Sequence, residues 1–68
     1  MEEKEIVHDL KEERLALINR LESLKAYLDE NGRHLFATRL YLIAEQIAAM
    51  ENYLSVLDVR IDLEIRAP

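Results

Sequence analysis

The stretch FATRLYLIAEQIAAMENYLSVLDVRI, residues 36–61, decides the fold of this chain. Its apolar residues recur at gaps of three or four positions, a spacing that keeps them on one side of an α-helix. These residues are Phe36, Leu40, Ile43, Ile47, Met50, Leu54, Leu57 and Ile61. The pattern predicts a helix with an apolar seam that packs against a second helix.

A second column of side chains follows the same helix at intervals of seven. It consists of Arg39, Gln46, Tyr53 and Arg60, and it is bordered by Leu42, Ala49, Val56 and Leu63. Because one neighbouring helix covers a single stripe, this apolar border would meet water in an isolated hairpin. Exposed stripes of this kind usually mark an interface between identical chains. We therefore expect a homo-oligomer, and the pattern suits dimers, tetramers and hexamers equally.

The partner helix lies in the first half of the chain. Its seam has the same gaps and comprises Val7, Leu10, Arg14, Leu17, Leu21, Leu24 and Leu28. Glutamates in its opening turn suit the positive end of the helix dipole. The turn signal Asn31-Gly32 closes it, because glycine readily takes the left-handed conformation that ends a helix.

These patterns together predict helices over about residues 2–31 and 35–66, joined by a turn at about residues 31–34. We expect residues 1–68 to form one all-α domain. A short link forces the helices into an antiparallel or V-shaped hairpin, which assembles into a homo-oligomeric helical bundle.

Composition narrows the classes of function. The chain carries 9 basic and 14 acidic residues, a net charge of −5, which argues against a nucleic-acid polymer as partner. All the basic residues in residues 31–68 are arginines, whose planar fork pairs with phosphate, so a small anionic ligand remains a possible partner.

No apolar run suits a membrane span and no signal peptide heads the chain, so we expect a cytoplasmic protein without a membrane partner. With 68 residues and no cysteine, oligomerisation is the remaining way to supplement a small core.

No catalytic arrangement stands out in the sequence, and we expect neither an enzyme nor a bound cofactor or metal. His8 and Glu12 are four apart, but two ligands at helical spacing are more often a solvated pair than a metal site. Arg14 interrupts the first seam. We expect its charged head to reach outward over a packed stem, with a register-fixing role or a pair with a buried acid as alternatives.

The polar column of the second helix has two interpretations. In the first it is an interhelical network, in which Gln46 and the arginines hydrogen-bond across an interface while Tyr53 packs its ring. In the second it is a ligand surface, where arginines meet phosphates and the tyrosine ring stacks on a nucleobase. The residues alone leave both open.

The second helix, read as Gln46, Met50, Tyr53, Leu57, Arg60 and Ile61, resembles a family of very short bacteriophage proteins built as a helical hairpin. These are cyclic-nucleotide sponges, comprising anti-CBASS proteins and the hairpin domain that they share with anti-Thoeris proteins. The first helix is similar to the family's pattern at Glu13-Arg14, Leu17, Arg20-Leu21, Leu24 and Tyr27-Leu28.

This resemblance implies a homohexamer in the cytoplasm of the host bacterium. It would bind cyclic di- or trinucleotides or cyclic ADP-ribose isomers between protomers and keep them from their effector without cleaving them. The alternative function is a small helical adaptor or regulator that docks an exposed apolar helix face on a host protein.

The resemblance also implies particular binding residues. Arg60 and Arg20 occupy the basic positions that would pair with ligand phosphates. Gln46, Tyr53 and Arg14 also match the family's pattern. His8 is the remaining candidate for stacking near the start of the first helix, where relatives often carry an aromatic or basic residue.

Overall fold

The computed structural model describes residues 3–68 as two long helices joined by a tight turn. Helix α1 spans Glu5–Asn31, a single 3₁₀ turn spans Gly32–His34, and helix α2 spans Ala37–Arg66. No strand occurs within residues 3–68. The predicted all-α, two-helix hairpin is confirmed. The predicted start of the first helix at about residue 2 lies outside the described residues.

The two helices run antiparallel along their whole length. Near the start of α1, Lys4 Nζ donates to the carbonyl oxygen of Glu64, in the last turn of α2, at 2.7 Å. Towards the other end, Lys25 Nζ lies 3.1 Å from Glu51 Oε2. Because contacts occur near both ends, the hairpin is a narrow rod of 51 × 15 × 12 Å and not a splayed V.

The core is the line along which the two predicted seams meet. The buried hydrophobic residues of the described part are Val7, Leu10, Leu17, Leu21 and Leu57. Leu57 has 0% of its surface exposed and packs with Leu10 and Leu17. Burying one such leucine contributes about 2 kcal/mol, so the hairpin by itself gains this amount at few positions.

The turn differs from the sequence prediction at Gly32. This residue has φ −53° and ψ −39°, so it is right-handed and the predicted left-handed helix cap is wrong. Its N–H donates to the carbonyl oxygen of Leu28, and the chain then continues into the 3₁₀ turn. The tighter turn satisfies a carbonyl at the end of α1 without requiring positive φ.

The first part of the α2 seam also differs from prediction. Phe36 is 83% exposed, so the prediction that it packs in the seam is wrong. It precedes α2 with an extended backbone, φ −64° and ψ 153°, and its side chain therefore leaves the helical period. Leu40 is exposed because it lies beside the end of α1, where little of that helix remains to cover it.

Neither helix within residues 3–68 contains a segment with the length and hydropathy that crossing a bilayer requires.

Candidate functional site

The two long edges of the hairpin differ in charge pairing. Along one edge, Lys25 contacts Glu51 and Arg14 Nε donates to Asp58 Oδ1, so basic residues of α1 meet acidic residues of α2. We call this the paired edge. These side chains are about half exposed, and exposed ion pairs contribute only about 0.2–1 kcal/mol each. The basic residues of the paired edge are therefore already bound to carboxylates of the same chain.

The opposite edge holds an open groove of about 430 Å³. It is lined from α1 by Asn19, Arg20, Ser23, Leu24 and Tyr27, and from α2 by Gln46 and Met50. We call this the groove. Ligand pockets commonly enclose about 300–1,000 Å³, so its size suits a small molecule, although one side is open to solvent.

The helical period explains why these side chains converge. Arg20 and Tyr27 are seven apart on α1, so they stand on one line of that helix, with Ser23 between them. Gln46 and Met50 are four apart and face them from α2. Packing of the two seams fixes how each helix is rotated about its own axis. The groove lies along one side of that contact, where the surfaces of the two helices diverge.

The groove combines an apolar floor with a polar rim. Leu24 and Met50 are half-buried, and they provide a surface against which a flat ring can pack. Arg20 provides a guanidinium, Tyr27 an exposed ring, and Gln46 an amide that both donates and accepts hydrogen bonds. Phosphate, nucleobase and apolar groups therefore each find a matching partner here.

Arg20 and Arg60 keep their charge available for an anion. Within residues 3–68, neither guanidinium takes part in an ion pair, whereas Arg14, Lys11 and Lys25 each contact an acid. An arginine without an internal carboxylate can give both prongs of its fork to a phosphate. The positive charges of Arg20 and Arg60 are therefore not neutralised by acidic residues of the described chain.

The structure does not bring the six residues singled out from the sequence into one place. Arg20 and Gln46 line the groove together. Tyr53 follows Gln46 by seven positions, so it continues the same side of α2 beyond the groove, with its ring exposed. Arg60 is a further seven positions along, about 21 Å from Gln46 at the helical rise. It does not line the groove of its own chain.

Arg14 and His8 lie away from the groove. The head of Arg14 reaches out to the half-exposed Asp58 while the residue itself is half-buried, which fits the expectation of an outward-reaching side chain. His8 lies between two glutamates, with Nε2 3.3 Å from Glu12 Oε1 and Nδ1 3.7 Å from Glu3 Oε1. These acidic neighbours make the surroundings of His8 unfavourable for a phosphate.

Sequence reasoning missed Tyr27, Asn19 and Ser23 as lining residues. A signal for Tyr27 was present, because it stands seven positions after Arg20, the same interval that defined the column on α2. Asn19 and Ser23 carried no such signal. Their place beside the groove follows from how the two helices are rotated against each other. In the described part of the chain, no three metal-ligating side chains come together.

Comparison with known proteins gives one family. The model of the Sequestin family matches residues 4–63, which include both seams and every residue that lines the groove. Comparisons with curated proteins and with solved structures gave no match. Since the match covers nearly the whole hairpin, the chain belongs to the Sequestin family.

Proposed function

We propose that this protein binds a cyclic nucleotide second messenger of bacterial anti-phage defence, of the CBASS or Thoeris type, and sequesters it without cleaving it. The observation that carries the proposal is the groove, which places the uncompensated Arg20 beside Tyr27 and Gln46 over an apolar floor. The family name Sequestin, which suggests sequestration of a ligand, supports the same function.

Each part of a cyclic nucleotide has a partner in the groove. The Arg20 guanidinium pairs bidentately with a phosphodiester. The Tyr27 ring stacks on a nucleobase, a contact that contributes about 1–3 kcal/mol per base. Gln46 and Asn19 present amides that donate to and accept from the polar edge of that base.

Sequestration requires only that the protein bind the messenger tightly and that there be enough protein to bind all of it. The groove supplies guanidinium, phenol, amide and hydroxyl groups, all of which hold a ligand by reversible contacts. The protein would act in the cytoplasm of the host bacterium, where the immune synthases make these messengers. No covalent step on the ligand is part of the proposal.

The active form we propose is a homohexamer. Within residues 3–68 the exposed large hydrophobic residues outnumber the buried ones. They are Ile6, Leu15, Tyr27, Phe36, Leu40, Tyr41, Leu42, Tyr53, Val56, Val59, Leu63 and Ile65. A small hairpin with this surface gains stability when copies of itself cover it.

Native mass spectrometry with cyclic di-AMP, cyclic tri-AMP and cyclic ADP-ribose tests the proposal. We expect a hexamer that gains discrete ligand masses, and we expect the ligand to be recovered intact after the protein is denatured. Ligand recovered in a cleaved form, or no mass increase with any of the three, would contradict it.

Arg20→Ala tests the site itself. Loss of a charge-assisted hydrogen bond costs about 1.5–3 kcal/mol, so affinity should fall about 10- to 100-fold while the oligomer stays assembled. Lys25→Ala is the matched control, because it removes an equal charge from the same helix on the paired edge. Equal losses in the two variants would remove the assignment of the groove and leave only a general charge effect.

The exposed apolar face of α2 supports a second candidate function, a helical adaptor for a host protein. Leu42, Val56 and Leu63 are 58%, 47% and 63% exposed on this face. An adaptor would bind none of the three nucleotides, and Val56→Asp would abolish its capture of the host partner while leaving the hairpin folded.

A further inference from the structure

The side of α2 that faces away from α1 carries a second apolar seam. We call it the outer stripe; its members recur at gaps of three and four and are all exposed. They are Leu42, Glu45, Ala49, Asn52, Val56, Val59 and Leu63. A helix with a seam on both sides is covered only when a further helix packs on the outer one.

The outer stripe reads almost the same from either end. Its heptad positions run leucine, alanine, valine, leucine from Leu42 to Leu63, and they run leucine, valine, alanine, leucine in reverse. A two-fold axis across α2 beside Asn52 therefore sets Leu42 against Leu63 of a second copy and Ala49 against Val56. Such self-complementarity is the requirement of an isologous interface, and the small Ala49 lets the two helices approach closely.

The charges on this side agree with the same axis. Glu45 is the one acid of the outer stripe, and in the described chain it forms no ion pair. Antiparallel pairing about Asn52 brings Arg60 of the second copy level with Glu45 and Gln46. Charges of opposite sign therefore lie at the same level of the two helices, which favours the antiparallel orientation.

The groove gains a second arginine from this arrangement. Gln46 lines the groove, so Arg60 of the second copy arrives at its open side. The Arg60 of the same chain stands about 21 Å farther along α2 and points along the same flank, too far to serve that groove. Two arginines from two chains would then flank a ligand that carries two phosphates.

We infer that the outer stripe pairs with the outer stripe of a second copy in antiparallel orientation, and that each groove is completed by Arg60 of that copy. The pairing stands on the outer stripe alone, while the role of Arg60 at the groove rests on the proposed function. The two parts are tested by different measurements.

Cross-linking tests the pairing, because the chain contains no cysteine and each variant carries a single thiol. With a short bismaleimide, Asn52→Cys should link to itself, since Asn52 lies beside the axis. Leu42→Cys alone should not, because two copies of it are about 31 Å apart in the antiparallel arrangement. A mixture of Leu42→Cys and Leu63→Cys chains should yield the mixed dimer.

The opposite pattern overturns the pairing. A parallel arrangement links Leu42→Cys to itself, and a face that binds a different protein leaves Asn52→Cys unlinked in purified protein. Circular dichroism of each variant checks that the helices remain formed, and Asn52→Cys, an exposed polar position, keeps the test valid if a leucine variant loses helicity.

Chain mixing tests the contribution of Arg60 to the groove, using whichever of the three nucleotides binds the wild type. Arg20→Ala and Arg60→Ala chains should each bind weakly when alone. After the two are unfolded together and refolded as an equal mixture, about a quarter of the grooves combine an intact Arg20 with an intact Arg60 of another chain. Those grooves should regain wild-type affinity.

A mixture that regains no tight sites overturns the shared groove. If the wild type itself binds none of the nucleotides, the proposed function fails and so does the role of Arg60 at the groove. The cross-linking pattern still decides the pairing of the outer stripes in that case, so the two failures are distinguishable.

Discussion

Replacing Gly32 by alanine is expected to stabilise the hairpin, although glycine at the end of a helix is usually kept for a left-handed turn. Its φ of −53° is one that alanine adopts without strain. A Cβ built on Gly32 would lie 3.5 Å from Leu28 Cδ1 and 3.9 Å from Leu40 Cδ1, both ordinary van der Waals distances. The new methyl group therefore fits the space that is present.

The expected gain has two sources. Alanine restricts the unfolded chain more than glycine does, which stabilises the folded state by about 0.4–1 kcal/mol. The new carbon contacts add about 0.1–0.2 kcal/mol for each pair of atoms. A total of about 1 kcal/mol corresponds to a rise in Tm of about 4–8 °C for a domain of this size.

Thermal unfolding followed by circular dichroism measures this change, at one protein concentration because self-association shifts Tm. Gly32→Pro is the matched control. Proline also fits a φ of −53°, but it removes the N–H that donates to the Leu28 carbonyl, so this variant should be less stable than the wild type. A lower Tm for Gly32→Ala would refute the right-handed turn and favour the left-handed cap.

Three further predictions follow from packing and from the groove. Leu57→Ala should lower the free energy of unfolding by about 2–5 kcal/mol because Leu57 is fully buried, whereas the exposed Leu15→Ala should change it by less than about 0.5 kcal/mol in urea titrations. A double-mutant cycle of Arg14→Ala and Asp58→Ala should give a coupling of about 0.2–1 kcal/mol that falls as salt is added; a coupling insensitive to salt would contradict a half-exposed pair. Tyr27→Ala should weaken binding of the nucleotide by about 10- to 100-fold in calorimetry, while Tyr27→Phe, which keeps the ring, should bind nearly as the wild type does. Equal losses in both tyrosine variants would show that the hydroxyl, and not stacking, holds the ligand.

Helical periodicity was sufficient to predict the helices and most of their contact. Side-chain direction repeats with the backbone, so gaps of three and four positions identify the buried line before any tertiary contact is known. The seam positions from Ile43 to Ile61 on α2 are buried or half-buried as this reasoning requires. The reasoning failed at Phe36, which precedes the helix and so leaves its period, and at Leu40, which lies inside the helix but beside the end of α1.

The candidate site was predicted less completely. Arg14 and Arg20 are both basic residues of α1 that matched the same family pattern, yet they lie on opposite flanks of the seam. Which one meets an acid depends on what α2 presents at that level, where Asp58 stands opposite Arg14. Spacing within one helix contains no information about the other.

The sequence by itself therefore determined the two helices, the seam and the outer stripe, because each of these is a property of one helix and its period. Only the tertiary structure decided which flank is closed by ion pairs and which opens as the groove, since that depends on the rotation and register of one helix against the other. The conformation of Gly32 was decided there as well. Glycine accepts either hand of turn, so the residue type could not decide between them, and the folded chain has the right-handed one.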